Sequence, residues 1–127
     1  MILAERAVAA RCWAWRPGMR STNGWRILSS STSLLQASLE GGGEATYFRQ
    51  DMFLLLPDLD DPATLGALMD LVRKLWGLPQ AYAVPRQGCV GDPAWAVCWS
   101  GSTHGGDLGL GESEVEAWVD ALCAANP

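Results

Sequence analysis

The segment Leu54–Gly77, LLLPDLDDPATLGALMDLVRKLWG, writes out an apolar run, a turn and a complete capped amphipathic helix, and it constrains the fold more than any other part of the chain. Asp61 stands at the N-cap, where a short carboxylate accepts from the free N–H groups of the first turn. Pro62 follows at the first helical position, where its missing N–H costs nothing and its ring holds φ in the helical range. Leu65, Leu68, Met69, Val72, Leu75 and Trp76 recur at helical spacing as one apolar stripe, with Asp70, Arg73 and Lys74 on the other side. Gly77 supplies the C′ position and Pro79 blocks continuation, so a helix is expected over residues 62–76. Arg73 and Lys74 in its last turns suit the negative end of the helix dipole.

Two further helices are expected, near residues 2–12 and 112–125. The first is alanine-rich, with Leu3, Ala7 and Val8 on one side. The second repeats Val115, Trp118, Val119 and Leu122 on one face, with Glu112, Glu114, Glu116 and Asp120 outward. Its start is marked by Ser113 or Gly111, and its early acids favour the positive dipole end. Between the helices the period changes. Trp25–Ser29, Ser33–Leu39 and Ala45–Arg49 read as an antiparallel meander, with Pro17-Gly18, Asn23-Gly24 and the glycines 41–43 as turns. Met52–Leu56 reads as a strand buried on both faces or passing under a helix. Ala81–Val84 and Ala94–Trp99 are candidate strands that pair, and the glycine-rich residues 100–111 read as a mobile surface loop. The expected class is α+β: one domain over residues 1–127, an antiparallel sheet of about four to six strands covered by helices.

A chain of 127 residues, 49% hydrophobic and with seven tryptophans, can build one core without obligatory metals or disulfides. No apolar run reaches the roughly 18–20 residues that cross a bilayer. Glu5, Arg6 and Arg11 interrupt the N-terminal apolar segment, so no secretory leader is expected and a cytosolic location follows. Cys12, Cys89, Cys98 and Cys123 form no CxxC pair or metal spacing; they read as small buried thiols, with a disulfide as the alternative. The net charge of −5 divides unevenly: residues 1–49 sum to +3 and residues 50–127 to −8. The fold either separates these sets into basic and acidic regions that steer partners, or interleaves them over the surface.

Candidate chemistry is sparse. Asp58, Asp60 and Asp61 are the densest carboxylate group, but a calcium loop needs more oxygens at defined spacing, so turn and cap roles fit better and no metal is expected. His104, the only histidine, lies in the glycine-rich stretch beside Thr103 and Asp107. As a general base it would need an orienting partner and a nucleophile, for which Ser100, Ser102 or Cys98 are near in sequence, and a solvated loop histidine fits better. The glycine turns at 101–111 lack a Gly-Lys-Ser/Thr sequence, and GxSxG, HExxH and Walker A patterns are absent, so neither a catalytic residue nor a cofactor is assigned. Arg11, Arg16, Arg20 and Arg26 interleave with Trp13, Trp15 and Trp25. Such a set can stack bases or anchor a protein interface, or its tryptophans can bury one face of the sheet while the arginines meet water.

Trp13-Ala-Trp-Arg-Pro-Gly-Met19 and Leu56-Pro-Asp-Leu-Asp-Asp-Pro-Ala-Thr-Leu-Gly66, with the Leu-Val-Arg-Lys-Leu-Trp-Gly continuation, resemble segments of a group of small uncharacterised proteins encoded by tailed bacteriophages and prophages. The resemblance implies phage origin and a compact α+β fold, and carries no catalytic residues across. It makes a non-enzymatic accessory protein the leading expectation, acting in the host cytoplasm by binding and inhibiting a host protein or ribonucleoprotein complex, such as a CRISPR–Cas or other defence system. Direct binding to nucleic acid and to membranes is not expected. The candidate partner-binding residues are Trp13, Trp15, Arg16, Arg20 and Arg26 on one side, and Glu112, Glu114 and Glu116 on the other. The alternatives are a small-ligand (nucleotide) binding protein or minor hydrolase with its pocket under residues 100–111, and a phage structural or morphogenetic component.

Overall fold

The computed structural model describes residues 2–85, 94–99 and 107–125. It has the α+β class, with three helices and two three-stranded antiparallel sheets, so the six described strands are divided between sheets instead of joined in one. The chain separates into two compact units. One is Ala14–Ala67; the other combines Met1–Trp13 with Leu68–Pro127.

In the 14–67 unit, β1 (Trp25–Ser30), β2 (Leu34–Leu39) and β3 (Thr46–Arg49) form the expected meander in the order β1-β2-β3. Two isolated bridges, Arg20 with Arg26 and Ser21 with Pro57, extend the pairing beyond β1. Gly24 turns the chain between them at φ +91°, a conformation open to glycine because it lacks a Cβ. Register shifts between Ile27 and Ser29, so the intervening Leu28 is turned outward and stays about half exposed. Ile27, Leu35 and Ala37 lie fully buried on one face. Beside them Trp15 meets Phe53 edge-on at 4.9 Å, and Phe48 meets both Trp25 and Phe53 at 5.1 Å. Such tilted ring pairs let a positive edge meet a negative face.

Met52–Leu56 is not a strand. A short 3-10 turn, Gln50–Met52, precedes an extended segment whose Phe53 is buried while Leu54 is 85% exposed. Successive side chains of extended chain point to opposite sides, and here only one side carries a core. The segment joins the ladder only at its end, where Thr22 N–H donates to the Leu56 carbonyl at 2.9 Å.

In the other unit, α1 (Leu3–Ala9) and α3 (Glu114–Ala124) are each shorter than the sequence pattern suggests. The helix α2 spans Pro62–Trp76 as expected, and the division between units falls within it. Its ends have the anticipated caps. Asp61 Oδ2 accepts from Thr64 N–H at 2.9 Å, while Gly77 at φ +66° lets its own N–H reach Lys74 O and Leu78 N–H reach Arg73 O. Leu68, Leu71 and Val72 are buried, so the stripe is centred one position away from the expected one. Arg73 is no solvent-facing charge: it donates to Ala81 O at 2.9 Å and lies 5.4 Å from the ring of the fully buried Trp118.

The second sheet runs β4 (Tyr82–Pro85), β5 (Trp95–Cys98), β6 (Gly109–Gly111), with β4 and β5 paired as expected. The strand β6 corrects the loop expectation for the end of the glycine-rich tract. A Cβ on Gly109 would collide with the Ala117 carbonyl and the Ala121 amide of α3, and one on Gly111 with Glu116 and Ala117. These glycines permit backbone-to-backbone approach of a strand and a helix. Asp120 closes the contact by accepting from Leu110 N–H at 2.9 Å, and Trp76 Nε1 donates to Ala121 O at 2.9 Å. Cys12 and Cys98 are half-buried free thiols; Cys123 is also free, but exposed instead of buried. Cys89, His104 and residues 100–106 lie outside the described residues.

Candidate interaction surface

Of the expected tryptophan–arginine set, Trp15 is buried, and Trp13, Arg16, Arg20 and Arg26 are half-buried. Trp15 is 4% exposed, in the ring cluster of the 14–67 unit, while Trp13 is half-buried in the other unit. Arg20 and Arg26 are cross-strand neighbours with their charges neutralised locally. Arg20 Nε donates to Glu40 at 2.7 Å and its Nη1 to Asp58 at 2.6 Å. Arg26 holds Asp61 through two bonds, 2.7 and 3.2 Å, donates from Nη1 to Gly18 O at 2.8 Å, and also pairs with Glu40. Two-bond arginine–carboxylate pairs combine charge with a fixed geometry.

This network absorbs the carboxylates singled out in the sequence. Asp61 serves twice, as helix cap and as Arg26 partner, and the guanidinium together with the Thr64 amide holds its pKa down to about 2, against the opposing effect of burial. Glu40 is likewise pushed below its ordinary range by Arg20 first and Arg26 second, and both guanidiniums are raised in turn. Asp58 Oδ1 accepts from Asp60 N–H at 3.2 Å, a turn contact. Among the described residues no group of His, Cys, Asp and Glu is arranged to hold a metal ion.

Arg16 is half-buried, and no ion pair involves it among the described residues. The acidic set is arranged differently. Ser113 caps α3 by accepting from Glu116 N–H at 3.1 Å, in the Ser-x-x-Glu pattern that marks a helix start. Glu112 is exposed, and Glu114 and Glu116 are half-exposed in the first turn. None of the three has a cationic partner among the described residues. The opposed halves of the sequence do not become opposed regions: the 14–67 unit carries four arginines against six acids, or −2, and the other unit the remaining −3.

Leu34, Tyr47, Met52 and Leu54 in the 14–67 unit are 46%, 67%, 65% and 85% exposed. Along β3 the alternation has period two, with Phe48 inward and Tyr47 and Arg49 outward.

No family model, curated protein or solved structure matches this chain. Among the described residues no helix is long and apolar enough to cross a membrane.

Proposed function

We propose that this is a non-enzymatic accessory protein of phage origin that binds and inhibits a host protein or ribonucleoprotein complex, such as a bacterial defence system, through the acids at the start of α3. The observation that carries the reading is the contrast in how charge is used. Arg20 and Arg26 are bound internally by Glu40, Asp58 and Asp61, whereas Glu112, Glu114 and Glu116 present carboxylates with no internal counter-charge among the described residues. Carboxylates grouped at a rigid helix start complement the basic channel of a nucleic-acid-handling complex and speed encounter with it. The host cytoplasm is the corresponding site of action.

Co-elution with purified defence complexes tests the proposal. The expected result is stoichiometric binding that weakens with salt and is lost in the triple variant Glu112→Lys, Glu114→Lys, Glu116→Lys. Absence of binding to any effector, with no effect of the protein on defence in cells, overturns it.

A further inference from the structure

The strand β3 is an edge with an outward-facing set of backbone groups that matches itself. Its register with β2 pairs Leu34 with Arg49, Leu35 with Phe48, Gln36 with Tyr47 and Ala37 with Thr46. One step beyond, Gln50 N–H donates directly to Ser33 O at 2.9 Å, which fixes the alternation. In an antiparallel ladder, hydrogen-bonded and non-bonded pairs alternate, so Phe48 and Thr46 bond toward β2 while the N–H and C=O of Tyr47 and Arg49 point away from it. Among the described residues no strand covers that edge. Tyr47 is 67% exposed and the Arg49 side chain 69%. The strand is short and carries one charge, Arg49, but no proline, lysine or inward charge blocks the edge of Thr-Tyr-Phe-Arg.

We infer that β3 pairs antiparallel with β3 of a second copy of this chain, with Tyr47 opposite Arg49 of that copy, joining two three-stranded sheets into one of six strands. The register follows from charge and bonding together. Only pairings that set outward-bonding residues opposite each other complete the ladder. One such pairing sets Arg49 opposite Arg49, two guanidiniums that each already pair with Asp51 at 2.9 Å and gain no ring contact. Another sets Tyr47 opposite Tyr47 and leaves Arg49 facing Ala45. The intermediate pairing sets each guanidinium beside a tyrosine ring, twice by symmetry, and closes four backbone hydrogen bonds. On the other face Phe48 meets Phe48 across the two-fold axis, continuing the ring cluster that Phe48 shares with Trp25 and Phe53. Four residues per chain make a small interface, so a reversible dimer is expected. The α3 acids play no part, and the inference stands apart from the proposed inhibition.

Sedimentation of the full chain over a concentration series, without any host component, tests the inference. The expected result is a monomer–dimer equilibrium that Arg49→Glu weakens and Tyr47→Pro abolishes with an unchanged circular dichroism spectrum, because the N–H removed at residue 47 points away from β2. As a register test that does not depend on a tolerated proline, the variant Phe48→Cys is oxidised mildly. The two-fold pairing brings the two copies of position 48 within disulfide reach, so a peptide cross-linked between the two introduced thiols is expected by mass spectrometry. A chain monomeric at millimolar concentration, or a dimer formed equally by Arg49→Glu and without a link between the two positions 48, overturns it.

Discussion

The two sheets share one topology, three consecutive antiparallel strands, and are held by different physics. The sheet of β1–β3 carries a ring cluster on one face and, beside β1, a set of guanidiniums and carboxylates that fastens the start of α2. The sheet of β4–β6 is seated on α3 by the absence of side chains, Gly109 and Gly111 against Ala117 and Ala121. Electrostatic fastening responds to pH and salt, and steric seating responds to volume. The same topology therefore fails under different insults in the two units.

The largest effect is expected from Trp118→Ala, which empties the centre of the glycine-seated unit and removes the ring beneath Arg73. The expected loss is about 3–5 kcal/mol in chemical denaturation. Gly109→Ala should follow, at about 1–3 kcal/mol, because the new methyl meets backbone atoms of α3 that cannot swing aside; the loss should be the same in low and high salt. A tolerated Gly109→Val would end the steric account of this sheet.

Arg26→Ala should cost about 1–3 kcal/mol by leaving the largely buried Asp61 carboxylate without its main donor, and here the loss should shrink as salt rises. Acid should probe the same network. The Asp61 carboxyl titrates lower in the folded chain than in the unfolded one, so its contribution is complete above the unfolded value near 3.8 and disappears as pH falls toward about 2. Thermal melts between those limits should show a steep decline in the wild type and a shallower one in Asp61→Asn. Equal slopes would show that the arginine network does not set acid stability. The smallest effect is expected from Ser113→Ala, about 1 kcal/mol, from loss of the α3 cap.

Legibility followed the range of the interactions. The bounds of α2 were readable because Asp61, Pro62 and Gly77 act on backbone groups within a few residues of themselves. The meander was readable from alternation and turn glycines. Arg20 and Arg26 gave no local sign of their partners, since Glu40, Asp58 and Asp61 are brought to them by two chain reversals and a helix start. The acids of α3 were legible as a group, but their lack of counter-charge depends on which basic side chains the fold brings near.

By itself the sequence determined where α2 begins and ends and which strands turn back on each other, because capping, φ restriction and side-chain period are properties of neighbouring residues. Only the tertiary structure decided that six strands separate into two sheets, that the basic and acidic halves mix, and that Gly109 and Gly111 form a strand on α3. Those outcomes depend on which distant surfaces can approach closely enough to exclude water and neutralise charge, and no local pattern encodes that distance.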